Sequence, residues 1–230
     1  MSSFVLVHGA WSGAMSWHKV APLLRARGHG VFAPSLTGLG DRVHLGGPET
    51  NLTTHVRDVV ALVEYEDLRE IVLVGHSYGG MVITGAIDSL ADRIAHLVYI
   101  DAFLPSDGQS LRDLGGATDA PIVDGWRIGR LPRMLPAPPG GTEFQPIGTF
   151  EEKVRLTSPL EERGFSRTYV KAGGTPGDQG ERNGAFWRAA QRVRDDPRWR
   201  YFELPAGHRL QRELPESVAG ILLDLVATEG

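Results

Sequence analysis

Ser77 is flanked by glycine two places to either side, in Gly75-His76-Ser77-Tyr78-Gly79. An apolar, β-branched run, Ile71–Val74, leads into this motif, and Met81, Val82, Ile83, Ala86 and Ile87 follow it at helical spacing. The pattern predicts a strand, a sharp turn and a helix with the serine at the apex. Gly75 and Gly79 let the two arms of such a turn pass without a Cβ clash. The turn lifts Ser77 Oγ clear of the sheet and aims the Tyr78 amide at the atom the hydroxyl would attack.

A serine hydroxyl attacks a carbonyl only if an imidazole takes its proton, and the imidazole needs an acid to hold its tautomer. In a strand–turn–helix arrangement of this kind the partners follow in the order serine, acid, histidine. Of eight histidines, only His208 lies beyond a last apolar strand, after Arg200-Tyr-Phe-Glu-Leu-Pro-Ala-Gly and before a closing helical pattern. His76 is expected to point away from the reaction, and His8 to organise the loop after the first strand. Two aspartates compete for the acid. Asp101 ends the strand after the elbow helix, and Asp178 lies in the glycine-rich loop Ala172-Gly-Gly-Thr-Pro-Gly-Asp. Asp101 is favoured because a strand end holds a side chain more rigidly than such a loop, and Asp178 stays as the alternative. The oxyanion hole needs two amides, assigned to Tyr78 and to Ala10 in the loop His8-Gly-Ala-Trp-Ser-Gly. Trp11, Phe103 and Trp126 are the substrate-binding candidates, with Met81, Leu104 and Leu210 as further apolar ones.

These residues must be carried by a sheet. Six segments read as buried parallel strands: Phe4–Val7, Gly30–Pro34, Glu70–Val74, His96–Ile100, Arg167–Lys171 and Arg200–Leu204. Helical patterns alternate with them at Ser16–Arg27, Thr53–Tyr65, Tyr78–Leu90, Gly184–Arg194 and Pro215–Val226. This alternation predicts βαβ units and a parallel sheet covered on both faces. It fails between Phe103 and Ser166, a stretch rich in Pro and Gly, with short helices expected near Ser110–Leu114 and Thr149–Leu156. That stretch reads as a cap, residues 104–165, inserted into a core of residues 1–103 and 166–230 over the carboxyl ends of the strands.

Composition narrows the class. The chain has 230 residues, 41% hydrophobic and 23% charged, with a net charge of −4. That suits one α/β domain and offers no basic surface for nucleic acid. The densest basic stretch, Arg188 to Arg200, is interleaved with Asp195 and Asp196 and reads as a solvated helix face. The chain has no cysteine, which excludes disulfides and thiolate metal sites. No window resembles a signal peptide or a membrane span, so a cytoplasmic location is expected.

Taken together, these motifs resemble the α/β-hydrolase superfamily over essentially the whole chain. The branch resembled contains plant methyl esterases, hydroxynitrile lyases and their bacterial esterase relatives, carbamate-hydrolysing ones included. The resemblance rests on Phe4-Val-Leu-Val-His-Gly-Ala-Trp, Trp17, Leu23-Leu24, Gly28-His29, Gly75-His-Ser-Tyr-Gly-Gly-Met, Asp101-Ala-Phe-Leu-Pro, Arg167-Thr-Tyr-Val and Gly207-His208. It implies a six-stranded, mostly parallel sheet with helices on both faces and an inserted cap. Gly9 and Arg209 stand where the plant lyases carry threonine and lysine, so cyanohydrin cleavage is not expected. Plant relatives carry the acid in the loop after the fifth strand, whereas haloalkane dehalogenases carry it where Asp101 falls. Ser77 argues against the aspartate-nucleophile branches of the superfamily.

The expected activity is hydrolysis of a small carboxylic ester, lactone, carbamate or activated amide through an acyl-enzyme on Ser77. A lyase, a cyclase, a cofactor-free haloperoxidase or a hydrolase-like receptor is the alternative. No cofactor and no metal are expected. The partner is a small-molecule substrate, with no nucleic acid and no membrane; a homodimer stays open.

Overall fold

A computed structural model describes residues 1–116, 119–130, 141–174 and 184–227. Six strands form one parallel sheet: β1 (Ser3–Val7), β2 (Gly30–Phe32), β3 (Ile71–His76), β4 (Ile94–Ile100), β8 (Ser166–Ala172) and β9 (Arg200–Leu204), in the order β2-β1-β3-β4-β8-β9. Successive residues point to opposite faces of a strand. Val5, Val7, Ile71, Leu73, Leu97 and Tyr99 therefore enter one core, and Phe4, Leu6, Val72, Val74, Val98 and Ile100 the other. Helices α2 (Leu52–Tyr65), α3 (Gly79–Leu90) and α5 (Ala185–Val193) cover the first face. Helices α1 (Val20–Arg25) and α7 (Pro215–Ala227), the latter preceded by the one-turn α6 (Leu210–Glu213), cover the second. Asn51 starts α2 with a capping box: its side chain accepts from Thr54 N at 3.0 Å while Thr54 Oγ1 accepts from Asn51 N at 3.3 Å.

A second, antiparallel sheet has the order β5-β6-β7, from Ile122–Val123, Arg127–Gly129 and Phe144–Pro146. A one-turn helix, α4 (Gly148–Glu151), follows it, and Ile128 and Phe150 enter the first core.

Several expectations need correction. Strand β9 is not buried: it is the sheet's edge, and Arg200, Phe202 and Glu203 are exposed. Charged side chains on it, Arg200 on one face and Glu203 on the other, are what an edge strand carries. The helix expected over Ser16–Arg27 divides into a 3₁₀ turn, Ala14–Trp17, and α1, with Pro22 in the first turn of the latter. Residues 111–115 form turns rather than a helix, closed by Gly115 at φ 83°. The Thr149–Leu156 helix shrinks to α4. The basic face of α5 is not simply solvated. Arg188 donates to Leu114 O, and Arg192 donates to Ser106 Oγ and pairs with Glu161 at 2.7 Å, tying the helix to the 104–165 segment.

Candidate active site

Ser77 leaves β3 with φ at +54°, a region that L-residues enter only when their surroundings hold them there. Three backbone bonds do so: Ser77 N donates to Ile100 O, and Ser77 O accepts from Gly80 N and Phe103 N. A Cβ on Gly75 would lie 2.7 Å from the Gly79 carbonyl, and one on Gly80 would lie 2.1 Å from Phe103 O. The turn thus needs a third glycine, in addition to the two that flank the serine.

Asp101, at the end of β4, also has positive φ, +39°. Its amide donates to Val170 O at 2.7 Å. Its side chain, 3% exposed, has both oxygens engaged. Oδ2 is 2.6 Å from His208 Nδ1, and Oδ1 accepts from Lys171 Nζ at 2.6 Å and from Ala172 N at 3.2 Å. Burial pushes the Asp101 pKa up, but the His208 hydrogen bond and the His208 and Lys171 charges outweigh it, so the carboxyl sits below its ordinary value. His208 Nε2 is 3.0 Å from Ser77 Oγ. An ionised Asp101 only accepts, so Nδ1 carries the proton and Nε2 is left to accept from the Ser77 hydroxyl.

Three other buried histidines stay neutral around this group. His8 accepts from Leu36 N through Nε2 at 3.0 Å and donates through Nδ1 to Gly9 O at 2.8 Å. His55 donates to Thr37 O and accepts from the Tyr78 hydroxyl, at 2.7 and 2.8 Å. His76 donates to His208 O at 2.8 Å, with its ring 4.8 Å from the His208 ring. Desolvation lowers His8 and His55 from 6.5 to about 4 and His76 to about 3, with the His208 charge assisting in the last case.

The loop after β1 brings Ala10 and Trp11 to the serine. Trp11 has φ at +52°. It donates from N to Gln145 Oε1 at 2.9 Å and from Nε1 to Ile128 O at 3.0 Å. Its carbonyl accepts from Thr142 N and from Arg130 Nη2. None of the loop and cap hydrogen bonds among the described residues uses the amide of Ala10 or of Tyr78.

A cavity of about 60 Å3 adjoins Ser77 and His208, with Ala10 and Trp11 in its wall. A larger cleft of about 650 Å3, bordered by Trp17, Arg25 and Asp41, contains neither the nucleophile nor the imidazole. The structure brings Ser77, His208, Asp101, Ala10, Tyr78 and Trp11 together. It does not bring the other apolar candidates to that cavity. Trp126 stands in the turn between β5 and β6 with the Arg127 guanidinium 5.5 Å from its ring, and Phe103, Met81, Leu104 and Leu210 are core. Phe103 contributes through Phe186, which it meets edge-on at 4.8 Å and which stacks on His208 at 4.6 Å. Asp178 lies outside the described residues. Sequence reasoning missed Lys171, although a lysine inside an apolar buried strand signals a buried partner. It also missed Phe186 and Arg130, which no local pattern announces. No group of three or more metal-ligating side chains occurs among the described residues, and no helix there is long and apolar enough to cross a membrane.

Residues 4–226 match the model of the Alpha/beta hydrolase family. A carbendazim hydrolyzing esterase from Nocardioides sp. (strain SG-4G) is 35% identical over 95% of this chain and 97% of its own length. Methylesterase 2 of Arabidopsis thaliana is 36% identical over 46% of this chain and 41% of its own. Among solved structures, a pyrethroid hydrolase from Sphingobium faniae JZ-2 superposes with a TM-score of 0.76 at 26% identity, covering 97% of this chain and 96% of that one.

Proposed function

The chain belongs to the alpha/beta hydrolase family, and we propose that it is a serine hydrolase of esterase type that works through an acyl-enzyme on Ser77. The observation that carries the reading is the unbroken hydrogen-bond line from Ser77 Oγ through both nitrogens of His208 to Asp101. Ser77 Oγ attacks the carbonyl carbon of an ester or carbamate and passes its proton to His208 Nε2. Asp101 accepts from Nδ1 and stabilises the imidazolium. The carbonyl oxygen becomes an oxyanion held by the amides of Ala10 and Tyr78. As the tetrahedral adduct collapses, the leaving oxygen departs with the proton from Nε2. Water then attacks the acyl carbon, loses a proton to the same nitrogen, and Ser77 leaves with that proton as the acid product forms.

Lys171 is a positioning residue, since it holds the Asp101 oxygen that does not face His208. Residues 104–165 serve as the cap, and the grip of Gln145, Thr142, Ile128 and Arg130 on Trp11 supports that role. Full-length similarity to an esterase weighs for hydrolysis over the lyase alternative.

Burst kinetics with short-chain p-nitrophenyl esters test the reading. The wild type should release a burst of nitrophenol, and Ser77→Ala should lose it together with at least about 10⁴-fold in kcat. Retained turnover in Ser77→Ala would sink the mechanism.

A further inference from the structure

The cavity beside Ser77 is bordered by Arg130, Arg209 and Arg212, and no aspartate or glutamate among the described residues borders it. This concentration of positive charge stands in a chain whose net charge is −4. We propose that the Arg130–Arg209 wall is a carboxylate-binding subsite, so that the substrate is an ester or carbamate carrying a negative charge beside its scissile carbonyl. The proposal rests on the hydrolase reading for the reaction, but not for the binding.

Arg130 is 6% exposed, and its described hydrogen bonds go to two neutral acceptors: Nε donates to Thr142 O at 2.8 Å and Nη2 donates to Trp11 O. Neither bond uses Nη1. Among the described residues neither Arg130 nor Arg209 forms an ion pair. A buried guanidinium whose described hydrogen bonds all go to carbonyls, with two like charges for neighbours, is a costly arrangement. Burial and then the Arg209 and Arg212 charges lower the Arg130 pKa, against a smaller opposing contribution from Glu143. An anion in the cavity relieves that cost, and a guanidinium fork matches a carboxylate edge to edge.

Two further groups wait in the same wall. Ser16 and Gln211 are 2% and 1% exposed, and Ser16 Oγ and Gln211 Oε1 have no hydrogen-bond partner among the described residues. The serine hydroxyl is a donor for an anion. The Gln211 amide can turn over to present its NH2, or keep its oxygen for a bridging water. The volume, about 60 Å3, holds a group of carboxylate size beside the reacting carbonyl.

Two ester pairs place the charge on either side of the scissile bond: methyl benzoate against monomethyl isophthalate, and phenyl acetate against meta-acetoxybenzoate. The wild type should favour the anionic member of at least one pair about tenfold or more in kcat/KM. Added salt should shrink that ratio. Arg209→Gln should cut it about tenfold, whereas Arg57→Gln, the same charge change on the exposed face of α2, should leave it as it was. Arg130→Gln should act as Arg209→Gln does; if it fails to fold, because Arg130 also holds Trp11, Arg209→Gln decides alone. A wild-type ratio near one in both pairs, or one that Arg209→Gln leaves intact, overturns the subsite and leaves the hydrolase reading standing. Should no ester be turned over at all, the hydrolase reading fails and binding decides: benzoate should bind more tightly than benzamide by calorimetry, and Arg209→Gln should abolish the difference. Equal binding of the two would overturn the subsite there as well.

Discussion

The carboxyl edge of the main sheet and the small sheet of β5, β6 and β7 each hold non-glycine residues at positive φ against the reaction space, and they do so by different means. Ser77 and Asp101 are fixed by backbone bonds that continue the pairing of β3, β4 and β8. Trp11 is fixed from outside its own sheet, by a glutamine side chain, two backbone groups and an arginine of the second region. The first device is cooperative with the whole core. The second depends on strands of two or three residues, so its bonds can open without unfolding the molecule. Ser77 and Asp101, the two ends of the hydrogen-bonded line, are thereby placed on the stiffest part of the fold, while His208 between them sits in the loop after the edge strand β9. The loop that carries Ala10 and Trp11, and Arg130 beside it, instead depend on the small sheet.

Asp101→Asn strikes the stiff region hardest. The amide cannot serve His208 as the carboxylate does, and kcat should fall by about 10⁴-fold. The same change strands the Lys171 ammonium, which pairs with Asp101 in a setting only 4% exposed, and should lower stability by about 3 kcal/mol or more. Adding Lys171→Met should restore most of the melting temperature but none of the rate. If the double variant regains activity, Asp101 is not the acid.

The buried histidines give a pH test of the same region. His8, His55 and His76 are neutral when folded, with pKa values of about 4, 4 and 3 against 6.5 in the unfolded chain. The unfolded state therefore binds more protons, and stability falls as pH drops below about 6.5 toward 4. Each histidine adds a slope of about 1.4 kcal/mol per pH unit in that window. Lowered carboxylates such as Asp101 add their loss only below the ordinary carboxylate value. Urea midpoints between pH 7 and 4 should show the decline beginning near 6.5; a flat profile down to pH 4.5 would mean that these rings are protonated or exposed in solution.

How much of this was legible in the chain follows the same divide. Ser77, His208 and the favoured Asp101 could be named because a strand, a turn and a helix are local patterns, and local patterns fix where their end residues point. Lys171 leaves a trace, a charge inside an apolar run, but the run by itself does not say which residue it pairs with. Of the arginine wall only Arg209, next to His208, stands out in the sequence; Arg130 and Ser16 are far from it along the chain and meet it only through tertiary packing. Trp126, an apolar candidate for the pocket, illustrates the limit. Its ring lies with Arg127 on the small sheet, and nothing in its neighbourhood of Asp124, Gly125 and Arg127 says which way that turn faces.

Gln145→Ala tests the hinge between the two regions and carries the smallest effect. Gln145 is fully buried; its oxygen accepts from Trp11 N and its nitrogen donates to Thr149 Oγ1 at 2.8 Å. Losing the first bond leaves one buried amide unpaired and frees the loop that carries Ala10, while the Thr149 hydroxyl keeps its bond to Pro146 O. The expected loss of stability is about 1–2 kcal/mol. The catalytic loss should be about tenfold and fall on kcat rather than KM, because a misplaced oxyanion donor weakens the transition state more than the bound ester. A KM effect with kcat intact would mean that the small sheet shapes the pocket without holding the oxyanion loop, and the difference between the two regions would then be one of substrate fit alone.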